Sequence, residues 1–387
     1  MCRVIGLAAA GPLCFVRHGL RSLSKARVTE MSTTAAAPVL LERSAGCLRV
    51  TLNRPKALNA LTLPMIRTLD SALREFETDP TAALVVLKGA GDKAFCAGGD
   101  VRAIALDEQG ELRRDFFKEE YRLDHLIGRY RLPFVSLLNG ITMGGGVGLS
   151  VHGAYRVASE RSVFAMPETA IGLFPDVGGS YFLPRLAHQL GLYLGLTGTR
   201  LKGADLLHAG IATHFCAVEH MAELEEQLGS ASNSCDLEAV LGDFQGMSRL
   251  RPESFSLQPL LPSIEKYFAE PTFDGLLARL QRAAADKDEF AASTLETWRK
   301  MSPTSMKITF KQLRLGASMT FEEAFPMEYR ITQRLVEGKT DFHEGVRAVL
   351  IDKDNKPKWR PATFEDVDDA TVDSHFAALP AQRELHL

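Results

Sequence analysis

NGITMGGGVGLSVHGAYRVASERSVFAMPETAIGLFPDVGG, residues 139 to 179, is the stretch around which the rest of the chain can be read. Gly144, Gly145, Gly146 and Gly148 open a helix-like segment, and two acids, Glu168 and Asp176, follow on later loops. Glycine lets bare backbone approach a ligand, and the first N–H groups of a helix have no partner within it. Such a place suits an anion or a developing oxyanion, with nearby carboxylates available as base, acid or nucleophile. Phe164, Met166, Ile171, Leu173 and Phe174 flank the two acids. They predict a greasy pocket in which a carboxyl pKa would rise toward a useful range.

Upstream, Phe134–Leu138 is an apolar strand that delivers the chain into this stretch, and Ala83–Leu87 is another that runs into a second glycine loop, KGAGDKAFCAGGD, ending at Asp100. Two such loops can each offer one backbone N–H to a single oxygen, and an oxyanion hole needs two donors. Leu48–Leu52 alternates like a strand, and NRPKALNAL (53–61) reads as a turn. Thr62 is a candidate cap for a helix with Ile66, Leu69, Leu73 and Phe76 on one stripe, and Val101–Arg131 is charged and helix-rich. Strands alternating with helices, each strand emptying into a glycine loop, predict an α/β architecture with its site at those loops.

With 45% apolar and 24% charged residues over 387 positions, the chain is long enough for a substantial core. A net charge of −3 gives no global attraction to nucleic acid or to acidic membranes, and no apolar run reaches the length of a membrane-spanning helix. Six cysteines without CxxC or metal-like Cys/His spacing predict free thiols, a reducing compartment and no metal. Residues 1–32 hold Arg3, Arg17, Arg21, Lys25 and Arg27 before the first acid, Glu30, and read as a mitochondrial transit peptide; Val4–Val16 imitates a secretory signal as the alternative. A catalytic core is expected over 37–230 and a polar, helix-leaning insert or extension over 231–300. Over 301–387 we expect a helical region with two or three amphipathic helices, ending in a basic, surface-lying tail.

Other motifs give less. The glycine run lacks the spacing of a dinucleotide fingerprint, and no GxSxG frames a serine. His208 and His214 read as packing or surface histidines. Asp352, Asp354 and Asn355 resemble a calcium loop faintly, but Lys356 and Pro357 stand where a ligand and the turn glycine are needed.

Together, NRPKALNAL, KAFCAGGD (93–100), GITMGGGVGLS (140–150) and FAMPETAIGLFPDVGGSYFLPRL (164–186) resemble the crotonase, or enoyl-CoA hydratase, superfamily. MSPTSMKIT (301–309), MEYR (327–330) and DFHEGVRAVLIDKDNKPKWRP (341–361) resemble its branch of acyl-CoA thioester hydrolases. The resemblance implies a crotonase-like spiral of ββα units with a C-terminal helical region, and an acyl-CoA substrate with no separate cofactor. It puts the oxyanion hole on Gly99 and Gly145, the central catalytic role on Glu168, and binding of a substrate hydroxyl or proton transfer on Asp176. Glu120 matches a residue lining the substrate site, and Lys56, Ala57, Leu58, Ala97, Gly98 and Asp100 match contacts to CoA. Hydratases of the superfamily carry a second glutamate where this chain has Gly148. Its absence turns the expectation to hydrolysis of a 3-hydroxyacyl-CoA such as 3-hydroxyisobutyryl-CoA. An enoyl-CoA hydratase or isomerase and a non-catalytic acyl-CoA-binding protein are the alternatives, and homo-oligomers are common in the superfamily.

Overall fold

The computed structural model describes residues 37–44, 46–230, 234–248 and 255–387, so the leader expected over 1–32 lies outside them. Ten strands form two sheets. They are β1 (Val39–Ser44), β2 (Cys47–Leu52), β3 (Leu84–Gly89), β4 (Ala94–Cys96), β5 (Phe134–Leu138), β6 (Ile141–Met143), β7 (Tyr155–Ala158), β8 (Val163–Ala165), β9 (Leu201–Lys202) and β10 (His214–Phe215). The larger sheet runs β1-β2-β3-β5-β7-β10 and the smaller β4-β6-β8-β9. The β1–β2 and β8–β9 pairings are antiparallel and every other pairing is parallel.

This order makes a spiral. Each of the pairs β3–β4, β5–β6 and β7–β8 gives one strand to the large sheet and the next to the small one. Because β4 pairs with β6, with Cys96 opposite Thr142, the loops leaving those two strands lie side by side. The sequence pattern reveals β2, β3 and β5 of the large sheet and misses its other strands as well as β4, β6 and β8, whose three residues each are too short to show a period.

The helices before the chain's midpoint are α1 (Leu63–Glu77), α2 (Val101–Ala105), α3 (Glu111–Gly128), α4 (Gly145–Val151), α5 (Gly179–Phe182) and α6 (Leu190–Thr197). The α1 stripe of Ile66, Leu69, Leu73 and Phe76 is buried as its spacing predicts, although the Thr62 side chain at the N-cap makes no capping bond. On β3, Val85 and Leu87 join the main core, while Leu84 and Val86 face the other way. That second face is covered by Leu224 and Leu228 of α8 (Val218–Leu228) and by Leu237, Leu241 and Phe244 of α9 (Ser234–Met247), beyond the short α7 (Asp205–His208). A buried parallel strand is apolar on both faces for this reason.

The remaining helices are α10 (Leu261–Phe268), α11 (Phe273–Ala285), α12 (Glu289–Trp298), α13 (Pro303–Gly316), α14 (Phe321–Val336), α15 (Asp341–Val346) and α16 (Asp369–Phe376). Three of them, α13 to α15, realise the amphipathic pattern after Ser302. Among the described residues no helix is long and apolar enough to cross a membrane. The tail is less superficial than its charge suggests, since Trp359 is tucked in and its indole N–H donates to the Lys300 carbonyl. Asp352 and Asp354 both accept from the Arg347 guanidinium, so their carboxylates are already engaged by a side-chain cation.

Candidate active site

The two glycine loops meet as the spiral requires. A Cβ placed on Gly98 would lie 3.5 Å from the Gly145 nitrogen. Gly99 is bracketed by two bonds of its neighbours, Leu61 N–H to the Gly98 carbonyl and Asp100 N–H to the Leu61 carbonyl. Its own N–H and that of Gly145, in the first turn of α4, have no acceptor among the described residues. Gly144 precedes the helix at φ 48°, ψ −125°, a conformation open to glycine alone. A pair of free N–H groups at the end of two parallel strands is an oxyanion-hole arrangement.

These glycines open onto a cavity of about 400 Å³ that also takes in Ala97, Gly98, Glu120, Glu168 and Asp176. Phe116, Phe117, Met143, Leu173, Val349 and Leu350 give it apolar walls, and Arg200 stands at its lining as the cationic member. The last two apolar residues belong to a single wide turn, Arg347–Ile351, that follows α15. Glu168 begins a short 3-10 turn, Glu168–Ile171, just after β8, and one of its carboxyl oxygens lies 3.2 Å from where a Gly144 Cβ would be. Its Oε2 is buried and unbonded. Burial pushes the Glu168 carboxyl well above the usual range, and the charge of Asp176 pushes it the same way.

Asp176 is buried too, and burial raises it to about 6 against the lowering effect of a hydrogen bond from Tyr121. That phenol donates to Asp176 Oδ2 at 2.6 Å and is itself 2.6 Å from the Thr332 hydroxyl. Glu120 precedes Tyr121 on α3. Its Oε1 is unbonded and would lie 2.2 Å from a Gly145 Cβ, so any side chain at 145 would have to displace the Glu120 carboxyl. Burial and then the charges of Asp176 and Glu168 hold the Glu120 carboxyl protonated well above its ordinary range.

Sequence reasoning missed Asp124, one helical turn beyond Glu120. It is fully buried and neither carboxyl oxygen has a partner among the described residues. A Cβ on Gly148 would lie 2.6 to 2.8 Å from the Asp124 carboxyl atoms. The carboxylate expected to be missing at Gly148 is therefore replaced in space by one from α3, although Asp124 stands behind Glu120 and does not line the cavity. The available signal was an acid on the buried stripe of an amphipathic helix, with Phe116, Phe117, Glu120 and Tyr121 on the same side.

The other expected contacts lie beside the cavity lining and outside it. Lys56 and Ala57 sit on an exposed turn, Pro55–Ala57, followed by Leu58 at φ 51°. The Leu58 carbonyl accepts from the Ala97 N–H, which ties this turn to the glycine loop. Asp100 caps α2 through the Ala103 N–H and pairs with Arg54. His208 is exposed against Phe255, and His214 is half-buried beside Thr213. Cys47, Cys96 and Cys216 are buried free thiols. Among the described residues no group of side chains could hold a metal ion.

Comparison with known proteins bears on the fold and the family. The family model described as enoyl-CoA hydratase/isomerase matches residues 47–376. The mitochondrial 3-hydroxyisobutyryl-CoA hydrolase of Danio rerio is 50% identical over 364 residues, covering 92% of this chain and 94% of its own. That of Homo sapiens is 51% identical over 353 residues, covering 90% of each chain. Among solved structures, a carnitinyl-CoA dehydratase from Mycobacterium thermoresistibile is 35% identical with a TM-score of 0.82, over 90% of this chain and 98% of its own. An enoyl-CoA hydratase from Rhodobacter sphaeroides is 38% identical with a TM-score of 0.80, over 91% of this chain and the whole of its own. With the spiral of paired sheets, the twin glycine loops and a family match running through nearly all the described residues, the chain belongs to the enoyl-CoA hydratase/isomerase family.

Proposed function

We propose that the protein hydrolyses the thioester of 3-hydroxyisobutyryl-CoA to the free hydroxy acid and CoA, a step of valine breakdown, in the mitochondrion. The observation that carries the reading is the Glu168 carboxyl with an unbonded oxygen in the same cavity as the free N–H groups of Gly99 and Gly145. The curated relatives at about half identity are mitochondrial hydrolases of this thioester, and they outweigh the dehydratase and hydratase at 35% and 38%.

In this mechanism the thioester carbonyl oxygen sits between the Gly99 and Gly145 N–H groups, which stabilise it as the carbonyl carbon becomes tetrahedral. Glu168 either attacks that carbon, forming a mixed anhydride as the C–S bond breaks and the thiolate leaves, or takes a proton from a water that attacks instead. In both routes one water is consumed and the products are the acid and CoA thiol. Asp176 Oδ2 is occupied by Tyr121, which leaves Oδ1 to accept the substrate's 3-hydroxyl. Glu120 lines the cavity beside Gly145, and its raised carboxyl resists adding a second negative charge next to Glu168. CoA is part of the substrate and the mechanism calls for no cofactor. Its adenine and pantetheine ends are assigned to the rim formed by Lys56, Ala57, Leu58, Ala97, Gly98 and Asp100.

The test is a panel of thioesters assayed for thiol release and for loss of enoyl absorbance. The reading predicts thiol release from 3-hydroxyisobutyryl-CoA and a much lower rate when the 3-hydroxyl is absent. Consumption of crotonyl-CoA without thiol release would identify a hydratase instead, and binding without turnover a non-catalytic acyl-CoA-binding protein. Trapping with hydroxylamine in a single turnover separates the two routes, since only the anhydride route yields a Glu168 hydroxamate.

A further inference from the structure

The loop that carries Asp176 is held in a conformation its sequence does not favour. Val177 is β-branched, yet its φ is 53°, in the left-handed region. Three side chains brace the segment from outside the cavity through four hydrogen bonds. The Gln312 amide on α13 donates to the Pro175 carbonyl at 2.7 Å, and the His152 ring, after α4, donates from Nε2 to the Val177 carbonyl at 2.7 Å. The N–H groups of Gly178 and Ser180 each donate to one oxygen of Glu328, both at 2.8 Å. Glu328 sits on α14, fully buried and away from the cavity lining, four residues before the Thr332 that meets Tyr121.

We propose that Glu328 is a positioning residue for Asp176: its two oxygens grip the backbone on the far side of Val177, hold that residue left-handed, and so aim the Asp176 carboxyl into the cavity. Capping the first turn of α5 would by itself explain one oxygen's bonds in a merely structural way. What a cap does not explain is the unfavourable backbone between the gripped N–H groups and the site acid. Strained backbone of this kind persists only where its surroundings over-determine it, and it clusters at functional sites. Glutamine at 328 keeps the shape but offers one acceptor and turns an N–H group against the other donor. The inference rests on Asp176 taking the substrate hydroxyl, and its test separates the two ideas.

kcat/KM is measured for a 3-hydroxyacyl-CoA and for the same thioester without the hydroxyl, on Glu328→Gln, Val177→Gly, the double variant and Asp176→Asn. Glu328→Gln is expected to lower kcat/KM for the hydroxylated substrate by about ten- to a hundredfold and to affect the other far less. Val177→Gly, which adopts a positive φ freely, is expected to restore part of that loss in the double variant. An equal fall on both substrates, or losses that add with no recovery, would overturn the positioning role. If Glu328→Gln does not fold, Gln312→Met, which releases the Pro175 carbonyl and the Ser180 hydroxyl, carries the same comparison. Loss of hydroxyl discrimination in Asp176→Asn but not in Glu328→Gln overturns the positioning role alone. No loss in Asp176→Asn overturns the reading of Asp176 and this inference with it.

Discussion

Glu168 and Asp176 are two acids in one cavity, and the charge of Asp176 makes Glu168 harder to ionise. Glu168 must be ionised to attack carbon or to take a proton from water, and its carboxyl is raised first by burial and then by the Asp176 charge. Activity should therefore fall on the acid side at a pH well above the ordinary glutamate value of 4.5. Asp176→Asn removes one of the two raising causes, so the acid limb of kcat/KM should move to lower pH even as the rate on the hydroxylated substrate drops. A limb that stays in place would show that Glu168 does not set it. Both acids were visible in the sequence because Phe164, Met166, Leu173 and Phe174 frame them. Asp124 was not, because an acid in a helix reads as surface until a partner helix is known to cover it.

At the scale of elements, the contact of α3 with α4 explains why the second helix is so rich in glycine. Glu120 lies on Gly145 and Asp124 on Gly148, one helical turn apart on each side. Gly148→Ala should cost about 1 to 3 kcal/mol through overpacking against the Asp124 carboxyl, and Asp124→Ala should recover much of it. Chemical denaturation of the two single variants and the double variant measures this. Asp124 also makes a prediction with pH. Its carboxyl is raised well above the ordinary value, mainly by burial and then by Glu120, Asp176 and Glu328. Above about pH 4 the folded chain thus keeps a proton that the unfolded chain gives up, and stability declines as pH rises toward the folded value. Asp124→Asn has no such proton to keep. Its melting temperature should match the parent's near or below about pH 4 and exceed it increasingly toward neutrality, whereas a constant difference would contradict a buried neutral acid. Glycine at 148 thus makes room for a carboxyl from another helix, one that lies outside the cavity lining.

Over the whole molecule, the main core is one contiguous cluster from Val39 to Leu385, so the C-terminal helices are part of the body that holds the site. Calorimetry should show a single endotherm, and two separated transitions would contradict a shared core. The two glycine loops and the strands β2, β3 and β5 could be read in the sequence because glycine punctuation and apolar runs are local. The stretch from 230 to 300 could be read only as helix-leaning, without its packing, because α9 finds its partners on a sheet built more than a hundred residues earlier, at Leu84 and Val86. The grip of Glu328 on Gly178 and Ser180 was hidden for the same reason. In the proposed reaction a buried Glu168 beside two free N–H groups breaks the thioester. Glu168→Gln keeps the shape and removes the charge, so its single-turnover thiol release from 3-hydroxyisobutyryl-CoA, with folding checked by circular dichroism, isolates the role of that carboxylate. A loss of about a thousandfold in a folded protein is predicted; a rate within a few-fold of the parent's would contradict it.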